Sequence, residues 1–401
     1  MRLLIRLNMP LISTHSELQL VLESARQAGV CAIDTEFVWD RSYYPKLGLV
    51  QIGLPERESH LIDAPSVEDW SPIAELVADA SIVKILHDAQ QDLRILKRAC
   101  GASPKNVFDT QRVAGFVNLS STISLSDLLK ATVRVHLHKS ETRSDWLKRP
   151  LTDKQLEYAR DDVRYMTEIR DWLLEKASEY NRLDWIAEEM ALYDDPSLYE
   201  ETLTLTEMPR VKGSGALTRE QRDIIRALAA WREEQARRRD LPRPFILSDD
   251  ALVALARKPP AGKHALAPIK GLTVKTVEYN RDAIWQAIER GRNGDLPSLE
   301  NGKRRGPEPD AGFEARVDLA LAFVKGRCLE AGMDPALAGN RAAITALVME
   351  GEHAQVEDHA LLKGWRKAFV ADPLLEMIQG KCAIAINPQT GFASKLLPMP
   401  N

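Results

Sequence analysis

The chain has 401 residues, of which 54 are Lys or Arg and 58 are Asp or Glu, for a formal net charge of −4; 44% are hydrophobic and 28% charged. This length leaves room for about two to four domains, and this composition excludes a disordered chain. No run approaches the roughly 18 apolar residues of a membrane-spanning helix, and Arg6 interrupts the short apolar start, which argues against a secretory leader.

The near-neutral total hides an uneven distribution. Residues 1–210 carry 25 basic and 34 acidic side chains, residues 211–310 carry 20 and 14, and residues 311–401 carry 9 and 10. An acidic block followed by a basic one suggests a division of labour. The four cysteines, Cys31, Cys100, Cys328 and Cys382, lie far apart with no C-x-x-C pair, so free thiols in a cytoplasmic protein are expected. Met9 reads as well as a start as Met1.

Val30–Asp34, Leu47–Leu54 and Ser59–Asp63 are short apolar runs whose gaps cannot hold a helical crossover, so three antiparallel neighbours are expected. A helix over Asp69–Ala78, a strand over Ile82–Leu86, a helix over Ala89–Ala99 and a strand end near Asn106–Asp109 follow. A long helical pattern runs from Asp153 to about Tyr180. A meander feeding β-α-β units predicts a mixed sheet of five strands with flanking helices.

From Glu207 the texture changes to a linker and then to helical patterns without a convincing strand. Ile224, Leu228 and Trp231 share a helix face, and Ser248 offers a helix cap. A second linker precedes Asp310. Residues 230–255 then align without a gap on 322–347, with Trp231 on Phe323 and Leu252 on Ile344, which suggests one small helical domain present twice. The expected boundaries are 1–206, a linker at 207–215, 216–300, a linker at 301–310, and 311–396.

Four acids and a tyrosine carry the chemistry. Asp34 and Glu36, at i and i+2 on the first strand, point to one face of the sheet, and Thr35 points to the other. Asp92 lies early in the helix after Ile82–Leu86, and Tyr158 and Asp162 sit at i and i+4 on the long helix. Converging carboxylates need a counter-charge. Oxygen-only ligands without a His or Cys cluster favour Mg²⁺ or Mn²⁺, and two such ions about 4 Å apart suit phosphodiester hydrolysis. Tyr158 would position the attacking water.

On these residues the sequence resembles a known family. Ile33-Asp-Thr-Glu-Phe37, His87-Asp-x-x-x-Asp92 and Tyr158-x-x-x-Asp162 resemble the three exonuclease motifs of the DEDD superfamily, tyrosine subtype, since Glu157 stands where the histidine subtype has its His. Asp34-Thr-Glu-Phe37 with Tyr43-Tyr-Pro-x-Leu-x-Leu-Val-Gln51 is similar to the bacterial ribonuclease D family. Leu241-Pro-Arg-Pro-Phe-Ile-Leu-Ser-Asp249 resembles the hallmark of the HRDC module, whereas the second copy has Met333-Asp-Pro-Ala-Leu-Ala-Gly339 there.

The resemblance implies an α/β nuclease domain of ribonuclease H-like fold followed by two small all-α HRDC domains. It also implies a 3′→5′ exoribonuclease using two divalent ions, Mg²⁺ or Mn²⁺, on RNA such as precursor tRNA and small structured RNAs. Asp34 would bridge both ions, Glu36 and Asp162 would complete the site that activates water, Asp92 would hold the second ion, and Tyr158 would orient the nucleophile. A DNA exonuclease and a non-catalytic binding scaffold are the alternatives. No membrane and no protein partner are expected.

Substrate contacts are expected from Phe37, Tyr43, Leu47, Gln51, Arg143 and the run Arg237, Arg238 and Arg239. Tyr44, Lys139, Lys148 and Arg149 are further candidates, and Lys303-Arg-Arg305 shares the basic block. His87 reads as a strand-end histidine satisfied by a backbone group.

Overall fold

The computed structural model describes residues 11–137, 141, 144–200, 210–215, 217–266, 272–297, 310–356 and 359–399. The chain divides into two compact units. Met1–Glu36, Leu47–Tyr199 and Gly306–Asn401 make the first; Phe37–Lys46 and Glu200–Arg305 make the second.

The first unit opens on α1 (His15–Ala28). Thr14 and Glu17 close a reciprocal capping box at its start, and Gly29 ends it in the left-handed region at φ 67°. The strands β1 (Val30–Val38), β2 (Lys46–Leu54), β3 (Glu58–Asp63), β4 (Val83–Leu86) and β5 (Val107–Asp109) form one sheet in the order β3-β2-β1-β4-β5. β2 and β3 run antiparallel with Gln51 opposite Leu61, while β1–β4 and β4–β5 are parallel, so the sheet is mixed.

Helices α2 (Ser71–Ala78) and α3 (Gln90–Cys100) lie among the loops of this sheet, and α4 (Thr110–Ala114) and α5 (Leu125–Thr132) follow β5. The long helical pattern is two helices, α6 (Asp153–Arg164) and α7 (Met166–Glu179), because Tyr165 leaves helical geometry at φ −112°, ψ 4°. α8 (Leu183–Ala191) packs beside them.

Alternation along the strands builds two cores. Cys31, Ile33, Val50, Ile52 and Ile62 pack with α1, α2 and α3 on one face. Ala32, Ile85 and Phe108 pack on the other face with Val163, Ile169 and Leu173 of α6 and α7.

The second core continues into the C-terminal helices α13 (Phe313–Glu330), α14 (Pro335–Ala338) and α15 (Arg341–Glu350) through Phe323, Leu337 and Leu347. Trp365 stacks on Trp185 of α8 at 5.0 Å and meets Phe116 at 5.4 Å. Residues 311–396, expected as a separate helical module, thus share a core with the sheet. Two strands, β6 (Cys382–Ala385) and β7 (Lys395–Pro398), pair antiparallel where only helix was expected. Each has four residues and neither has a fully buried face, so neither shows the contrast that marks a strand.

The second unit has its own core around α9 (Arg219–Arg239), α11 (Asp249–Arg257) and α12 (Val274–Arg292), with the single turn α10 (Arg243–Ile246) between α9 and α11. Thr218 and Gln221 form a capping box on α9. A Cβ at Gly291 would collide with the Ile224 backbone, so α9 and α12 touch there.

Candidate active site

The carboxylates are brought together by two backbone devices. Asp34 and Glu36 extend β1 on the face that Ala32 shares with α6. Gly53 of β2 lets α6 press onto that face: a Cβ there would lie 2.6 Å from the Val163 carbonyl oxygen. Asp162 is the residue before Val163, so the close approach seats its side chain beside the strand acids. One carboxylate oxygen each from Asp34, Glu36 and Asp162 lies within 4.8 Å of the others.

Asp92, on the first turn of α3, is placed differently. Its carboxylate accepts a hydrogen bond from the Thr35 hydroxyl, on the opposite face of β1 from Asp34 and Glu36. The turn that leads into α3 is held by buried Asp109. That carboxylate accepts from the backbone N–H of Asp88 (3.2 Å) and Ala89 (3.0 Å), and from the Tyr193 hydroxyl (2.6 Å). Asp88 adopts φ 59° there. His87 is occupied structurally, with Nε2 3.0 Å from the Ile123 carbonyl and Nδ1 3.0 Å from the Thr110 hydroxyl.

The electrostatics are those of crowded, half-buried acids. Burial, then the negative charges of Asp162, Asp92 and Glu36, raise the Asp34 carboxyl well above its ordinary range. Burial, with Asp162 and Asp92, pushes Glu36 up to about 9. Burial brings Asp92 to about 7 although the Thr35 hydrogen bond opposes it, and burial likewise brings Asp162 to about 7. The Tyr158 phenol is raised by burial and by Asp162, Glu36 and Asp34, and it donates a hydrogen bond to Asp162. Its ring lies 6.1 Å from that of Trp146.

Among the described residues none of the four acids is ion-paired with a Lys or Arg, so no protein cation offsets their charge. An all-oxygen donor set of this kind fits a hard divalent cation. Thr35, Asp109 and Trp146 were not expected as site residues. Asp109 carried a signal, a lone acid closing an apolar strand just before a helix.

The expected substrate contacts divide. Gln51 is fully buried on β2, with neither amide atom hydrogen-bonded to protein. Leu47 packs against the core on the α1–α3 side of the sheet. Phe37 and Tyr43 belong to the second unit, where Tyr43 and Arg237 meet each other at 3.1 Å. Arg238 donates to Gln235 (2.6 Å) and Arg239 to Asn280 (3.0 Å). Arg149 is bound to Asp63 and the Gly48 carbonyl, and Lys148 is exposed. Arg143, Lys139 and Lys303–Arg305 lie outside the described residues.

Comparison with known proteins shows the family and the fold. Residues 9–178 match the 3′-5′ exonuclease family and residues 221–288 match the HRDC domain. The chain is 37% identical to the ribonuclease D of Desulfotalea psychrophila over 90% of this chain and 96% of that protein. It is 33% identical to that of Gluconacetobacter diazotrophicus over 94% of each. The crystal structure of Escherichia coli RNase D, an exoribonuclease involved in structured RNA processing, superposes with a TM-score of 0.78 at 26% identity. It covers 93% of this chain and 99% of that one. The chain therefore belongs to the ribonuclease D family, with a 3′→5′ exonuclease domain followed by an HRDC domain.

Proposed function

We propose that Asp34, Glu36, Asp92 and Asp162 hold two divalent ions, Mg²⁺ or Mn²⁺, and that Tyr158 orients the attacking water, in a hydrolase that releases 5′-mononucleotides from the 3′ end of RNA. As a member of the ribonuclease D family the protein is a metal-dependent 3′→5′ exoribonuclease. The observation that carries the residue assignment is the half-buried group of Asp34, Glu36 and Asp162 with the Tyr158 phenol donating into it.

In the reaction the water oxygen attacks phosphorus, the bond from phosphorus to the 3′ oxygen of the preceding nucleotide breaks, and that oxygen takes up a proton. When bound, divalent ions offset the acids' charge and stabilise the attacking and leaving oxygens. Tyr158 stays protonated, because burial and the charges of Asp162, Glu36 and Asp34 raise its phenol and its proton is engaged by Asp162. Its oxygen then presents lone pairs that can accept from a water and fix its direction.

The same reading assigns the protein to the tyrosine subtype, with Glu157 at the alternative histidine position, and takes 311–396 as a second, diverged HRDC-like segment. Precursor tRNA is the proposed substrate class, and Phe37 and Leu47 remain proposed substrate contacts. The test uses 5′-labelled RNA and matched DNA single strands with Mg²⁺ or Mn²⁺, for the wild type and Asp34→Asn. Stepwise shortening of RNA that disappears in Asp34→Asn is expected. Equal shortening of DNA would overturn RNA selectivity, and residual wild-type rates in Asp34→Asn would overturn the site.

A further inference from the structure

The loop between β1 and β2 carries an indole that the nuclease chemistry described above does not use. Trp39 is 53% exposed and stands three residues after Glu36. Three residues of chain span at most about 11 Å, so Trp39 is tethered close to a site acid. Its ring is not loose. The indole N–H donates to the Tyr43 carbonyl at 2.8 Å, and Tyr43 is itself anchored within the second unit.

The Tyr43 phenol donates to Glu233 of α9 and accepts from Arg237 Nε at 3.1 Å and Arg243 Nη2 at 3.3 Å. The Arg243 guanidinium lies 5.2 Å above the Tyr43 ring and donates to Glu233 Oε1 at 2.8 Å. The next residue is held as well: the Tyr44 N–H donates to Asp240 Oδ1 at 3.0 Å, and the Tyr44 carbonyl accepts from Ser42 at 2.6 Å. Asp240 itself caps α9 in the left-handed region at φ 49°. The two tyrosine rings meet edge to face at 4.7 Å. A loop clasped this firmly by the HRDC domain has one exposed aromatic side chain, Trp39.

We propose that Trp39 is a stacking residue for a base at the unpaired 3′ end of RNA, and that Tyr43, Glu233 and Asp240 are positioning residues that hold its loop. The inference rests on the nuclease reading and adds a substrate contact to it. A base needs one flat exposed ring, worth about 1–3 kcal/mol when removed. A protein partner needs a contiguous apolar patch. The chain beside Trp39 offers none: the next residues of the loop are exposed Asp40 and Arg41 and then buried Ser42. The partner chemistry is therefore a nucleobase next to a phosphate chain, and the basic character of residues 211–310 suits that chain.

The test separates stacking from catalysis by working in the Asp34→Asn protein, which leaves the RNA intact. A single-stranded RNA with 2-aminopurine as its 3′-terminal base is titrated with that protein in Mg²⁺. Stacking on an indole quenches the probe. Adding Trp39→Ala should abolish most of the quench and weaken binding about tenfold, whereas Trp39→Phe should keep part of both. In the otherwise wild-type enzyme Trp39→Ala should raise KM on an unpaired 3′ tail more than it lowers kcat. Tyr43→Phe and Glu233→Gln should give a smaller KM rise with the melting temperature held, which a purely structural clasp would not produce. Unchanged quench and affinity in a folded Trp39→Ala protein would overturn the proposal. So would an equal loss on RNA whose 3′ end is paired. Absence of RNA cleavage by the wild type would instead overturn the nuclease reading, since the quench does not depend on cleavage.

Discussion

Replacing Asp34 by Asn should make the metal-free protein more stable while abolishing its activity. The oxygens of Asp34, Glu36 and Asp162 lie within 4.8 Å of one another. At that spacing two full charges repel by about 3 kcal/mol at an effective dielectric constant of about 20. The protein limits this cost by retaining protons, which is what the raised carboxyls record. Each acid has a folded value above its unfolded one, so the fold favours the protonated cluster. That contribution is complete below the unfolded carboxyl range. It is lost as pH rises through about 7 for Asp92 and Asp162 and about 9 for Glu36.

Asp34→Asn removes the member that is repelled by all three other acids, Asp162, Asp92 and Glu36. In EDTA at pH 9 the gain should approach one such repulsion, about 3 kcal/mol, or roughly 4–6 °C in melting temperature for a unit of this size. At pH 6, where Asp92 and Asp162 hold their protons, the gain should be well under half of that. Saturating Mg²⁺ should reverse the order. The wild type gains about 2.7 kcal/mol at a ligand concentration a hundredfold above Kd, and the variant, short of a ligand, gains far less. Cleavage should fall by about 100-fold or more. Calorimetry at the two pH values, with EDTA and with Mg²⁺, reads all of this. An Asp34→Asn protein that melts at or below the wild type in EDTA at pH 9 would refute the repulsion argument.

Tyr158→Phe keeps the ring beside Trp146 and loses only the hydroxyl, so kcat should drop about 100-fold with metal affinity and melting temperature held; an unchanged kcat in single-turnover cleavage would remove Tyr158 from the reaction. Gln51→Leu replaces a buried amide that has no protein partner by an apolar side chain of similar size, and should raise the melting temperature by about 2–4 °C. A fall would mean that the amide is satisfied in the folded protein. Glu189→Ala should cost about 3–5 kcal/mol. Its buried carboxylate takes Arg112 at 2.7 Å, the Trp365 indole at 3.1 Å and Arg366, and the variant strands two guanidiniums. Burial alone would push Glu189 up, but Arg366 and Arg112 outweigh it and hold it below its ordinary range. The stabilisation should therefore be present above the unfolded carboxyl range and disappear as pH falls through the folded value, as a chemical-denaturation series in pH would show.

Much of the sheet was legible because buried strands declare themselves by apolar runs and short gaps. The order β3-β2-β1-β4-β5 follows from a meander and two parallel additions. The site acids were legible for a related reason: Asp34 and Glu36 share a strand face, and Tyr158 and Asp162 share a helix face. What brings those faces together was written less openly. Gly53 reads as an ordinary glycine until α6 is seen against it. The first helix escaped notice although Thr14 and Glu17 have the spacing of a capping box.

The C-terminal third was the least legible part, since helices pattern alike whether they pack on one another or on a neighbouring sheet. Nothing in the spacing of Phe323, Leu337 and Leu347 says that they share a core with Ala32, Ile85 and Phe108 of the sheet rather than a private one.

The arginine run shows the same limit for charge. Counted by sign, Arg237–Arg239 is a basic patch awaiting phosphate. Counted by partner, Arg237 belongs to Tyr43 and Glu233, Arg238 to Gln235 and Arg239 to Asn280. Two of those partners were already in view, for Glu233 precedes Arg237 by four residues and Gln235 precedes Arg238 by three, the spacings at which helical neighbours touch. A run of like charges on a helix is free to bind a polyanion only where the turn below it lacks acceptors. By that test the exposed recognition group of this domain is to be sought in the loop the arginines hold, at Trp39, and not in the arginines themselves.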